Sequence, residues 1–449
     1  MTSPPPRAQT ALRSQTAPRP KTAPGPRQTA LRPEQTAAAS TSPPRTAGFV
    51  LLIGLLTLLP AVTVDMYLPS LPDVAADLGA THASVQFTIT GMLIGGALGQ
   101  LLVGPWSDRV GRRLPVLVGV SLHVVISLLC LVATSVEMLS ALRVLQGLAS
   151  AGATVVAMAV IRDRYTGAEA ARILSRLMLV ISAAPLLAPT AGSAIAAQWG
   201  WRGVFVALAL LGAALVVVVA LLLPETLPVE RRAAHGVGTS LRGYVELIQD
   251  RRFVSLAVIP GFGMGLIMSY VAGSPFVLQE EYGLSAREFA MVFALGGTSL
   301  IVGSQTNAAL VRHVAPIRLL RAGLPATVLM AALLCVVAAG RIGGIVGFVV
   351  ALWLAMVMLG FVISNASALA LSRHGERAGM AAATIGFLQA GLAGVISPLV
   401  GLFGGGAFAM TGVMLASVAT ALVVLAATTP AYRRDGWLAF HGADAAQTA

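Results

Sequence analysis

Of 449 residues, 56% are hydrophobic and 11% charged, and the mean hydropathy is +0.83. A water-soluble domain carries about 25% charged residues, so a chain that folds mainly against water is excluded. The formal charge of +12 does not point to nucleic acid, because the basic residues sit in short connections and the N-terminal segment rather than on one folded face.

Residues 1–46 are rich in Pro, Thr, Gln, Ala and Arg, with Gln-Thr-Ala recurring at Gln9, Gln15, Gln28 and Gln35. Such a segment has too little apolar surface to offset chain entropy and is expected to be a disordered cytoplasmic tail. Its basic residues can touch anionic lipid headgroups or simply be solvated. It holds no apolar stretch, so no cleavable leader is expected and the first span itself must start insertion.

Apolar runs about 20 residues long follow, without the alternation of a barrel strand. In lipid the backbone must satisfy itself, which leaves helices. Twelve spans are predicted near 47–67, 85–105, 114–133, 138–160, 172–196, 203–223, 253–279, 287–310, 318–339, 344–371, 378–401 and 407–427. The expected fold is an all-α polytopic membrane protein of twelve transmembrane helices in two six-helix halves. Residues 47–224 form the N-terminal bundle, 225–252 a cytoplasmic linker, 253–428 the C-terminal bundle and 429–449 a cytoplasmic C-terminal tail. A six-plus-six plan suits a transporter built from parallel repeats. Arginines crowd the tail and alternate loops, while the opposite loops hold only Arg202, Arg287 and Arg341. Lys and Arg resist translocation, so both termini are expected on the cytoplasmic side of a plasma (inner) membrane.

The first span ends in Asp65-Met66-Tyr67-Leu68-Pro69. The fourth, running the other way, carries Arg143 at similar depth. Ionisable residues inside membranes pair or line a water-filled cavity, so Asp65 and Arg143 are expected to communicate across a central cavity. The plainer alternative has Asp65 capping the first helix in the headgroup region. If Arg143 moved away as the cavity changed face, the carboxyl group would hold a proton in one state and release it in the other. Gln146 and Gly147 follow Arg143, and the small residues after them, Ala149 to Ala153, read as helix packing.

Between the second and third spans lies Gly104-Pro105-Trp106-Ser107-Asp108-Arg109-Val110-Gly111-Arg112-Arg113. It is expected to be a tight connection, with glycines for the turn and Asp and Arg side chains that bind helix ends and each other. The fifth span is interrupted by Pro185, Pro189 and Gly192, which bend a helix. In the second half, Phe262, Met264, Met268 and Tyr270, with Gln305, Asn307, Asn365 and Gln389, are candidate pocket residues beside Tyr67 and Gln146. Adaptable Met and aromatic surface suits varied apolar ligands, and interhelical packing explains such residues equally well. Cys130 and Cys335 fall within spans, and the six histidines lack ligand spacing, so neither a disulfide nor a metal site is expected.

The pattern Gly104-x-x-x-Asp108-Arg109-x-Gly111-Arg112-Arg113 resembles the loop signature of the major facilitator superfamily. Asp65, Tyr67, Pro69 and Pro72, then Arg143, Gln146 and Gly147, Ala188, Pro189 and Gly192, Trp199 to Phe205, and Pro224, Glu225 and Thr226 together resemble its bicyclomycin-resistance (Bcr/CflA) drug:proton antiporters. That resemblance implies the major facilitator fold and makes Asp65 the proton-linked carboxylate with Arg143 its cationic partner. It makes Asp108 the holder of a cytoplasmic gate through the N-terminus of the eleventh span after Gly379, and Pro185, Pro189 and Gly192 an antiporter-type kink. Ala188 and Ser193 depart from the usual glycines of that kink.

The function expected is proton-coupled efflux of amphiphilic drugs or antibiotics by alternating access, in a transporter rather than an enzyme. The proton is the coupling ion and no cofactor is expected. Partners are membrane lipid and a small amphiphilic substrate, with no nucleic acid, and the chain is expected to be monomeric. A transporter of the same fold that moves a small polar metabolite is the competing reading. A membrane sensor or enzyme would need an output domain or catalytic cluster that no loop is long enough to supply.

Overall fold

The structure, a computed structural model, describes residues 46–165, 167–232, 245–372 and 378–432. The N-terminal tail, residues 233–244 of the linker, and the end of the chain, including the tail expected beyond 432, lie outside the described residues. So do the side chains of Arg176, Pro185, Arg231, Arg373 and Arg377.

In the first half, α1 spans Thr46–Asp65 and is followed by the short α2, Leu71–Asp77. Three long helices come next: α3 at His82–Val110, α4 at Arg113–Cys130 and α5 at Val136–Arg164. The helix α6 runs from Gly167 to Leu222, broken at Gly200, where φ is 66° and ψ −179°. A left-handed φ costs glycine little, because it has no Cβ to collide with the following carbonyl. The break makes two antiparallel arms, α6a (167–199) and α6b (201–222). Gly192 of α6a abuts the Met66 backbone at the end of α1, and Arg202 of α6b ion-pairs with Asp77 at 2.7 Å. At the far end of α6b, the Ala220 carbonyl accepts a hydrogen bond from Arg113.

In the second half, α7 (Arg251–Pro275) runs into a π-helical turn, Phe276–Glu281. Then come α8 (Ala286–Leu310), α9 (Pro316–Gly340), α10 (Gly344–Leu371), α11 (Ala378–Ile396), the short α12 (Leu399–Leu402) and α13 (Ala407–Thr428). Eleven helices among the described residues are long and apolar enough to cross a membrane, one of them Leu187–Leu222. That one carries the Gly200 break, and counting its two arms separately gives the twelve expected spans.

The segment expected as a loop at Gly104–Arg113 is a correction. Gly104 through Val110 form the last two turns of α3, and only Gly111 and Arg112 make the turn before α4. Pro105 does not end the helix. Ser107, Asp108 and Arg109 lie in those last turns, and Arg112, just beyond the helix, pairs with Asp108 at 2.6 Å.

The two halves pack by the same device. On α3, side chains added at Gly91, Gly95 and Gly99 would strike the backbone of α5, and one added at Gly147 of α5 would strike Met92. On α8 and α10, Gly303 and Gly360 meet backbone to backbone. Close approach of this kind replaces the hydrophobic driving force that lipid removes.

Candidate functional site

A cavity of about 640 Å³ lies between the halves. It is lined by α1, α3 and α5 from the first half, by α7, α8 and α10 from the second, and by Ala390 of α11. Counted as spans, α1, α3 and α5 are the first, second and fourth of the first half and α7, α8 and α10 the same three of the second, so the repeat that identity in the sequence barely reveals is present in the geometry.

Helical periodicity sorts α1 into two faces. Thr57, Pro60, Ala61, Val64 and Asp65 form one stripe and line the cavity. Leu52, Leu56, Leu59 and Thr63 form the opposite stripe, each 0–2% exposed in the core of the first half. On α5, Gly147, Ser150, Ala151 and Thr154 line the cavity at i, i+3, i+4 and i+7.

Asp65, the last residue of α1, is 8% exposed and faces the cavity. Arg143, 0% exposed, is not among the lining residues. Its guanidinium donates to the Thr63 carbonyl at 3.3 and 3.4 Å and to Gln146 Oε1 at 2.6 Å. It lies 4.9 Å from the Tyr67 ring centroid and 5.8 Å from that of Phe205. Gln146 passes a hydrogen bond on to Ser127 Oγ, and Thr88 donates to the Tyr67 hydroxyl. Among the described residues no ion pair joins Asp65 to Arg143. Residues two apart on a helix point about 200° away from each other, so an arginine engaged behind α1 does not reach a carboxylate at its front.

Of the second-half pocket residues, Met264, Met268 and Tyr270 line the cavity. Phe262 lines a different, apolar groove of about 410 Å³ with Phe403 and Phe408, both mostly exposed. Asn365 is buried and donates to Asn307 and to the Phe361 carbonyl, a bridge between α10 and α8. Gln389 and Gln305 are not among the lining residues, and Tyr67 and Gln146 belong to the network behind α1. Gln100, Thr154, Phe293, Ser304 and Ser364, unpredicted, complete the wall. The stripe at i, i+4 and i+8 (Met92, Gly96, Gln100) was the available signal.

At one end of the molecule the α3–α4 turn is tied to the rest of the first half. Arg112 donates to Asp163 at 2.8 Å, to Asp108 at 2.6 Å and to Ser107 at 2.8 Å. Burial works against its charge, but the carboxylates of Asp163 and Asp108 outweigh it and hold the guanidinium more basic than usual. Glu225 accepts from the backbone N–H groups of Arg112 and Arg113 at 2.8 and 3.2 Å, capping α4 from beyond α6. Partial burial pushes its carboxyl up, and four backbone N–H groups more than reverse this, so the net shift is down. Gly111, at φ 103°, leaves the room that Glu225 occupies. Asp108 therefore engages Arg112 of its own half. Gly379, near the start of α11, faces the Arg162 guanidinium instead. Pro189 is buried on α6a, and Gly192 seats that arm against α1; the side chain of Pro185 lies outside the described residues.

At the other end the halves are joined. Gln86 accepts from the Gly401 N–H at 2.8 Å and donates to the Ala272 carbonyl at 3.3 Å. Gln279 donates to the Pro69 carbonyl at 3.2 Å, and His82 meets Glu280 at 3.1 Å while stacking on Phe276.

The Major Facilitator Superfamily profile matches residues 53–398. The chain is 36% identical over 353 residues, 78% of this chain and 88% of the relative, to the uncharacterized MFS-type transporter YdgK of Bacillus subtilis. It is 29% identical, with the same coverage, to a bicyclomycin resistance protein homolog of Haemophilus influenzae. It is 31% identical to the multidrug resistance protein MdtL of Escherichia fergusonii, over 84% of this chain and 94% of that one. Among solved structures it is similar in fold to the nucleoside transporter NupG (TM-score 0.69, 15% identity, 86% of this chain and 100% of that one) and to a D-xylose-proton symporter (TM-score 0.65, 15% identity, 84% and 97%). With a cavity bounded by equivalent spans of two six-helix halves, this chain is a multi-pass membrane transporter that belongs to the Major Facilitator Superfamily.

Proposed function

We propose that this transporter is a proton-coupled antiporter that exports amphiphilic drug-like compounds by alternating access, with both termini in the cytoplasm of the cell whose plasma membrane it spans. The observation that carries the reading is Asp65, a carboxylate facing a cavity that holds no other charged side chain among the described residues, with no ion pair to Arg143 among them either. Such a group exchanges a proton with whichever side wets it, and a drug in the same cavity competes for the same space. The mostly apolar wall, with Met92, Met264, Met268, Met356 and Phe293, suits ligands of varied shape. Resistance-named relatives support the drug reading. The arginine bias of the Asp108 end supports placing that end in the cytoplasm, so the end joined through Gln86 and Gln279 faces outward. One cavity between the halves of one chain supports the monomer as the working unit.

The test uses everted membrane vesicles with an imposed pH gradient and a panel of charged and uncharged drugs. Wild type is expected to dissipate the gradient on drug addition, and Asp65→Asn to insert normally but to lose that response at least tenfold. Gradient-driven drug uptake that persists in Asp65→Asn would remove Asp65 from the coupling step. A response to small polar metabolites and to no drug would favour the competing reading.

A further inference from the structure

The cavity carries a more specific message about its ligand, and this inference rests on the efflux reading above. Among the described residues lining it there is no Lys, Arg, His or Glu, and Asp65 is the single acid. Arg143 is committed behind α1 to Thr63, Gln146 and two aromatic rings. A ligand entering the cavity therefore brings the positive charge that the lining lacks.

Tyr270 supplies the second observation. It lies on α7 in the opposite half and lines the same cavity as Asp65. The residue is 3% exposed, and its hydroxyl has no hydrogen-bond partner among the described residues. Its ring stacks on Phe293, with centroids 5.2 Å apart and planes 11° from parallel, which fixes where the hydroxyl points. Gly296 makes the room, because a Cβ there would stand 2.7 Å from the hydroxyl oxygen. Buried hydroxyls are ordinarily bonded, and one left free stores a recoverable hydrogen bond. Thus an anion from the first half and an unused donor from the second face one space of about 640 Å³.

We infer that the ligand is an amphiphilic organic cation, its nitrogen or other cationic centre held at the Asp65 carboxylate and its hydrogen-bond acceptor meeting the Tyr270 hydroxyl, so that one molecule bridges the two halves. The acceptor takes the hydroxyl proton in a hydrogen bond, and no covalent step is involved. A bridging ligand couples occupancy to the relative position of the halves, and Tyr270 becomes a specificity-determining residue.

Equilibrium binding to the purified full chain tests this with two probes. Rhodamine 6G is a cation with an ester carbonyl, and tetraphenylphosphonium is a cation with no acceptor. Wild type binds both. Asp65→Asn weakens both at least tenfold, whereas Asp65→Glu, which keeps the charge, holds tetraphenylphosphonium within about threefold. Tyr270→Phe weakens rhodamine 6G roughly three- to tenfold and leaves tetraphenylphosphonium unchanged. Wild type that binds neither cation, or Asn and Glu variants that behave alike, overturns the cation assignment. Equal effects of Tyr270→Phe on the two probes overturn the bridge. Either failure leaves proton-coupled efflux of uncharged drugs standing, because the vesicle assay reads that separately.

Discussion

Glu225 shows how one side chain far along the chain sets a local structure. The turn between α3 and α4 leaves the first N–H groups of α4 without helical partners, and Glu225, entering after α6, accepts from that of Arg113 and from that of Arg112 just before it. Because its carboxyl is held below the ordinary glutamate value of about 4.5 in the folded state, the stabilisation is present above that value and is lost as pH falls through the lowered one. Glu225→Gln is therefore expected to lower the thermal midpoint of the detergent-solubilised protein at pH 7, by a cap-sized amount of about 0.5–1 kcal/mol. The difference from wild type should shrink as the pH falls below the ordinary glutamate value and through the lowered one. A pH-independent difference would mean that the carboxylate charge is not what caps the helix.

Helix pairing has a similar logic, with glycine as the working residue. A Cβ at Gly95 would overlap the Val144 carbonyl of α5, and Gly147 is equally tight against Met92 of α3. These contacts are backbone, which cannot rotate away as a side-chain tip can. Gly95→Ala is expected to cost about 1–3 kcal/mol through overpacking, read as a lowered midpoint of thermal unfolding. Gly104→Ala, in contrast, meets only Val155 at an ordinary 4.0 Å and should be nearly silent. The packing separates the two glycines in a way that pattern matching misses. Gly104 belongs to the recognisable signature but has room for a methyl group, while Gly95 belongs to no motif and has none.

For the whole molecule, the end that joins the halves is built mainly from neutral hydrogen bonds that can be remade. Gln86 holds two of them, to Gly401 and Ala272. Each such bond contributes about 0.5–1.5 kcal/mol net, so Gln86→Ala should weaken the join by about 1–3 kcal/mol. That shifts the balance toward the state open at the Asp77 end by roughly 5- to 150-fold. Spin labels placed on α3 and α12 near Ala83 and Leu402, a pair brought together here because Gly401 abuts Ala83, should report a larger long-distance population in the variant. An unchanged distance distribution would show that other contacts hold the halves together.

Much of the membrane architecture could be read in advance, because lipid forces every crossing segment to satisfy its own backbone, and an apolar run of about 20 residues announces this locally. The sequence alone determined the number of spans, their division into halves and the superfamily. It also singled out Asp65 and Arg143 as the charges needing an explanation. It could not say which side of α1 each charge uses. A two-residue difference in register turns Asp65 toward the cavity and leaves Arg143 behind the helix with Thr63, Tyr67 and Gln146. Nor could it assign Phe262 to an outer groove and Met264 to the cavity, since both read as adaptable apolar surface. Hydropathy is a property of each segment, whereas a cavity is enclosed by faces of helices from both halves that meet only when the chain is packed. The tertiary structure decided that meeting.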